Sequence, residues 1–253
     1  MLYLDYLAYH NRFAAVSILE KLLLGIGVMT IALSAREPLL LLFIITLMNS
    51  IILTAKIPPG YLLRLWLVPA GFLITGLVTV AVSVSMEPFP AVISFTLGLW
   101  QVGITTGGMA AAWELFLRSA ATLSCLLMIA ATTPAAYVAG WLSCFPLLRP
   151  VMEIALLTYR FIFVVLHTAG QIYTAQQSRL GYVNWRRSLP AISMLVASIG
   201  RKAFLTARDL SVTLAARNYS DRLVYRWPLQ TVHKGRLICI ICLLAGLAAA
   251  GLL

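Results

Sequence analysis

The sequence predicts an all-α integral membrane protein of five or six transmembrane helices plus long cytoplasmic helices, and three observations carry that prediction. Hydrophobic residues make up 61% of the 253-residue chain and charged residues only 11%, with a mean hydropathy of +0.93. A soluble domain of this length has too little interior to bury so much apolar surface. Several apolar runs approach the roughly 20 residues that a helix needs to cross a bilayer. The basic residues behind the net charge of +11 fall between and beside those runs. That placement reads as membrane topology and speaks against nucleic-acid binding.

The first span is VSILEKLLLGIGVMTIALSA, residues 16–35, with Glu20 and Lys21 near one end as interfacial anchors. ALSA at 32–35 resembles a signal-peptide cleavage site. Asp5, His10, Arg12, Glu20 and Lys21 spread charge over too long a leader for that reading. The second span, LLLLFIITLMNSIILTA at 39–55, follows REP, where Pro38 opens a helix and disfavours helix before it. A third runs from Leu62 to Val84 with Pro69 inside it as a kink point. The fourth, about Ala110 to Thr132, carries Glu114 and Arg118 at i, i+4. Ionisable groups in a span are costly and commonly functional. The pair is open to two readings, an ion pair along one helix face or a contact to a partner subunit. Between the third and fourth spans, MEPFPAVISFTLGLWQVGITTGG is open between a further span and a re-entrant or interfacial segment. RLICIICLLAGLAAAGLL, residues 236–253, is the last span.

These runs divide the chain into transmembrane helices over 1–132, a connection over 133–234 and a final transmembrane helix over 235–253. The connection holds twelve basic residues against Glu153, Asp209 and Asp221, so the positive-inside rule places it in the cytoplasm. If the stretch between the third and fourth spans does not cross, four spans precede the connection and the N-terminus is also cytoplasmic. Pro134, Pro146 and Pro150 break its opening into short pieces, after which Val151 to Leu180 contains no proline. That stretch predicts a helix about 45 Å long, only partly in the membrane because Glu153 and Arg160 lie within it. A second helix is expected from Pro190, a favourable first helical residue, to Arg217. Its apolar stripe is Ile192, Val196, Ile199, Ala203, Ala207, Leu210 and Leu214.

Each of these helices ends in a related string, QQSRLGY at 176–182 and LAARNY at 214–219. Glycine, then asparagine, best tolerates the positive φ that commonly stops a helix, so Gly181 and Asn218 are expected to be the terminators. Arg179 and Arg217 then project from the last turns. An arginine there gains roughly 0.3 to 1 kcal/mol from the helix dipole, which suffices to explain either one alone. Two matched cations on rigid helices suit docking into acidic pockets of a partner.

With these strings the chain resembles the transmembrane T component of energy-coupling factor transporters, in the ATP-binding-cassette class. The family's two Ala-Arg-Gly-like signatures correspond here to Ser178-Arg179-Leu180-Gly181 and Ala216-Arg217-Asn218, the first departing by serine and an inserted leucine, the second by asparagine for glycine. LDYLAYHNRF with EKLLL, KIPPGYLLRLWLVPAGF at 56–72, ATTP at 131–134 and TYRFIFVVL at 158–166 are similar to the cobalt-type CbiQ branch. The resemblance implies that 133–234 forms coupling helices received by two ATPase subunits, which bind ATP and Mg²⁺. It also implies that a separate membrane subunit captures cobalt, with room for a small accessory membrane subunit, in the plasma or inner membrane of a bacterium or archaeon. Nickel or a vitamin is the alternative cargo.

The residues agree that this chain is not the catalyst. It has no G-x-x-x-x-G-K-[ST] phosphate loop. His10, His167 and His233 are far apart, and Cys239 and Cys242 form C-x-x-C within an apolar span, so no metal site or cofactor of its own is expected. An autonomous secondary transporter is the rival class. It would show internal repeats, whereas the two halves here differ in charge.

Overall fold

A computed structural model describes residues 2–35, 37–85, 93–97, 100–217 and 232–252. In chain order the elements are α1 (Leu2–Tyr9), α2 (Ile18–Ser34), α3 (Pro38–Thr54), α4 (Pro59–Ala81), β1 (Val82–Ser85), β2 (Ile93–Leu97), β3 (Trp100–Ile104) and α5 (Thr106–Thr132). They continue with α6 (Ala135–Leu142), α7 (Arg149–Ser178), α8 (Trp185–Ala216) and α9 (Lys234–Leu252). Contacts group the chain into two units, Met1–Ala135 with Leu229–Leu253 and Ala136–Pro228.

The first unit is a helical bundle around α5, which packs on α1, α2, α3 and α4. Its buried face is rich in small residues, Ala112, Ala120, Ala121, Ser124, Cys125 and Ala131. Small side chains let helices approach closely where lipid removes most of the hydrophobic drive for association. The same logic sets α2. A Cβ on Gly25 would collide with Ile129 of α5, and one on Gly27 would lie 2.8 Å from Leu244 of α9. On α3 the buried residues Leu41, Ile44, Met48 and Ile52 recur at helical spacing. Asn49 stands on the next stripe and joins three helices: its Oδ1 accepts the Trp66 indole N–H at 3.1 Å, and its Nδ2 donates to Ile45 O at 2.8 Å and to Ser124 Oγ at 3.4 Å. Outward, Leu67, Val68 and Phe72 of α4 are largely exposed, an apolar surface suited to lipid. α4 continues as one helix through Pro69.

Glu20 and Lys21, expected as interfacial anchors, are buried instead. The reason is that both have partners inside the bundle, described below.

Between α4 and α5 lie three strands, β2 and β3 within the undecided stretch and β1 just before it, where the third span was expected to continue. They form an antiparallel sheet in the order β1-β3-β2, with Val82 and Ile93 both opposite Ile104. The flanking helix ends are close: a Cβ on Gly108 would sit 3.0 Å from Ala81 O, and the Thr105 hydroxyl accepts the Gly108 N–H to cap α5. The segment therefore leaves and returns at one end of the bundle. Apart from this small sheet, the described elements are helices.

In the second unit α6 follows Pro134 as a short piece, and α7 begins with Pro150 in its first turn. α8 starts at Trp185, five residues before the Pro190 start expected from sequence. Asn184 is extended and its carbonyl takes the N–H groups of Arg187 and Ser188, so the helix is nucleated earlier and Pro190 sits inside its second turn. Of the expected stripe, Ile199, Ala203, Leu210 and Leu214 are half-buried, joined by Ala191 and Leu195, while Ile192, Val196 and Ala207 are exposed. α7 and α8 pack on each other.

Among the described residues, five helices are long and apolar enough to cross a membrane, α4, α5, α7, α8 and α9 through Gly251, with α3 a shorter apolar helix. The set includes α7, expected to lie only partly in the membrane, and α8, expected as an amphipathic helix of the cytoplasmic connection. It omits α2, whose 17 residues span about 25 Å. The chain is a multi-pass membrane protein.

Candidate functional site

The end of α7 is built by a run of backbone bonds. Arg179 caps the helix at φ −93°, ψ 16°. Leu180 N–H then bonds Gln177 O at 3.0 Å and Gly181 N–H bonds Gln176 O at 2.9 Å. This is the Schellman arrangement, which consumes carbonyls that a helix end leaves free. The left-handed residue is Leu180, at φ 59°, and not Gly181 as expected. Glycine is favoured at 181 for a different reason: a Cβ there would sit 3.0 Å from Gln176 O and crowd the bond that closes the motif.

Tyr182 folds the chain back over the last turn. Its hydroxyl donates to Gln176 Oε1 at 2.6 Å and its ring packs on Tyr173 with centroids 4.8 Å apart. Ser178 Oγ donates to Thr174 O at 3.0 Å. The tyrosine after the glycine is thus a brace for the turn.

At the end of α8, following Ala216, Arg217 takes the same backbone conformation, φ −93° and ψ 15°, with its N–H on Thr213 O and Leu214 O. The two arginines occupy equivalent capping positions to within about a degree. Both are exposed, and neither side chain makes an ion pair or hydrogen bond among the described residues. In both, a fixed capping backbone carries an exposed guanidinium group. Asn218 lies outside the described residues.

Sequence reasoning missed the apolar half of this surface. Leu180, Val183, Trp185 and Leu189 are all exposed around the turn between α7 and α8, beside exposed Arg179, Arg186 and Arg187. The signal was present, since leucine, valine and tryptophan stand where a solvated turn would carry polar residues. A left-handed leucine costs about 1 to 2 kcal/mol that glycine would not, and such strain gathers at functional sites.

Further along the hairpin, α7 and α8 enclose an open cleft of about 320 Å³. Phe161, Val165, Thr168, Ala203 and Leu210 line it, with Lys202 at its wall. Ala203 and Leu210 belong to the apolar stripe expected for the second helix.

Glu114 and Arg118 pair at 2.6 Å, and Arg118 also donates to Ala35 O at 3.0 Å. The guanidinium thereby holds α5 to the C-terminal carbonyl of α2, while Glu114 stays about half exposed. Among the described residues no three His, Cys, Asp or Glu side chains converge on a common point. His10 stacks on Tyr6, and His167 meets Gln171 at 3.1 Å. All four cysteines are free.

The family model described as CbiQ, cobalt transport protein, matches residues 14–225. The cobalt transport protein CbiQ of Rhodobacter capsulatus is 31% identical over 251 residues, covering 99% of this chain and 98% of that protein. The CbiQ of Salmonella typhimurium is 30% identical over 219 residues, 85% of this chain and 96% of its own length. A putative fused cobalt transport protein CbiMQ of Methanocorpusculum labreanum is 27% identical over 217 residues, which is 36% of that longer protein.

Proposed function

The chain belongs to the CbiQ cobalt transport protein family, and from that premise we propose that it is the coupling subunit of an energy-coupling factor transporter. In this reading it links ATP hydrolysis by two partner ATPases to cobalt uptake through a separate membrane subunit. The observation that carries the reading is the matched pair of exposed arginines, Arg179 and Arg217, on helix ends of the same geometry. Two equivalent cations fit two copies of one partner, each with an acidic pocket.

The chain itself has no catalytic step. ATP and Mg²⁺ belong to the ATPases, and the cobalt ion is cargo. Closing and opening of the ATPase pair moves the ends of α7 and α8, and the long helices pass that displacement to the subunit that holds the ion. The apolar residues around Leu180 supply contact area, and the arginines supply orientation and on-rate. The excess of basic residues in the Ala136–Pro228 unit favours the cytoplasmic side, with the ATPases. The fused relative, named CbiMQ, supports a membrane partner acting in the same transporter.

The test is uptake of labelled cobalt by cells carrying the Arg179→Glu, Arg217→Glu double variant at wild-type membrane levels. Uptake falls to background on this account; wild-type uptake would remove the two helix ends from the mechanism.

A further inference from the structure

The Ala136–Pro228 unit is joined to the bundle by two peptide connections, one after α5 and one before α9. Each is fastened to α2 by one of two consecutive charged residues. Lys21 Nζ donates to Thr132 O, the last residue of α5, at 3.0 Å, and Asn11 Nδ2 donates to the same carbonyl at 3.1 Å. Glu20 Oε1 accepts the N–H of His233, immediately before α9, at 2.8 Å, and its Oε2 lies 3.6 Å from Arg236 Nε. Glu20 is 1% exposed and Lys21 7%.

Burying two charges in an apolar bundle is expensive unless each has a specific partner. Here each has the partner its sign requires. The cation sits at the C-terminal carbonyls of one helix, the carboxylate at the N-terminal N–H of another, each on the favourable pole of the helix dipole. Residues 20 and 21 are about 100° apart around α2, so one short segment grips both connections. A displacement of either connection has to break its tie or pull α2 with it.

We propose that Glu20 and Lys21 are positioning residues that transmit movement of the Ala136–Pro228 unit into the membrane bundle through α2. The proposal rests on the coupling role above and adds the point at which that movement enters the bundle. A simple staple would hold the fold together and do nothing more. A transmitting tie has a separate signature, because losing it leaves ATP hydrolysis running while transport stops.

The experiment uses the complete transporter, purified with its partners and reconstituted in proteoliposomes, with ATP hydrolysis and labelled cobalt uptake read on one preparation. For Glu20→Gln, Lys21→Met we expect hydrolysis within about twofold of wild type and uptake lower by about tenfold, within the range of ordinary site-to-site coupling. Restoring the cation as Lys21→Arg in a Glu20 background brings the ATP consumed per ion back to within about twofold of wild type. Unchanged uptake, or hydrolysis and uptake falling in proportion, would overturn the proposal. If the double variant does not reach the membrane, Arg236→Gln removes only a half-exposed partner of Glu20. It should raise ATP per ion about threefold, and no change there overturns the proposal equally. A wild-type preparation without any ATPase would sink the coupling role itself, an outcome distinct from an intact complex whose stoichiometry ignores residues 20 and 21.

Discussion

Replacing Leu180 with glycine separates the strain in this helix end from its purpose. Leu180 holds φ 59° and is 61% exposed. Relieving the left-handed leucine returns about 1 to 2 kcal/mol. Against this stand about 0.4 to 1 kcal/mol for the freer unfolded glycine and up to about 1 kcal/mol for the buried fraction of the side chain. The terms nearly cancel, so the isolated subunit should melt within about 4 °C of wild type. Docking is a different matter. Covering the exposed fraction of a leucine contributes about 1 to 2 kcal/mol, so Leu180→Gly should weaken ATPase binding by about 5- to 30-fold. The assay is titration of the nanodisc-held subunit with its ATPase, beside thermal unfolding of the same sample. Unchanged affinity would show that the leucine is not an interface residue. A large fall in melting temperature would show that the strain argument is mistaken.

Two further perturbations test the bundle. Asn49→Leu removes the acceptor of the Trp66 N–H and a donor to Ser124. At about 0.6 kcal/mol per interhelical bond in a membrane, with an unpaired indole N–H added, it should cost about 2 kcal/mol in a denaturing-detergent titration; a cost below about 0.5 kcal/mol would contradict the assigned network. Gly25→Leu drives a side chain into Ile129 and should destabilise by about 1 to 3 kcal/mol. Gly60→Leu, with nothing within 4 Å of its Cβ, should stay within about 0.5 kcal/mol of wild type by the same measurement.

The apolar runs announced α2 to α5 and α9 because an uninterrupted helical stretch in lipid has to satisfy its own backbone, and composition alone reveals that. What escaped was non-local or turned on competing local rules. Lys21 finds Thr132 across 111 residues and Glu20 finds His233 across 213, so nothing in EKLLL distinguishes a buried tie from an interfacial anchor. At Pro190 the rule that favours proline at a helix start competed with the extended Asn184, and the earlier nucleation won. Gly181 was read for its freedom in φ, whereas the backbone uses its lack of a Cβ beside Gln176 O. The arginines stood out because they belong to a string written twice. The exposed leucine, valine and tryptophan beside Arg179 were not, because apolar residues are commonplace in this chain.

Purification of the tagged protein from its native membrane, with mass spectrometry of what accompanies it, tests the coupling role most directly. The account predicts a P-loop ATPase and a second membrane subunit with the wild type, and loss of the ATPase alone from the Arg179→Glu, Arg217→Glu variant. A protein recovered without an ATPase yet still moving cobalt would contradict it, and would reduce both arginines to helix caps.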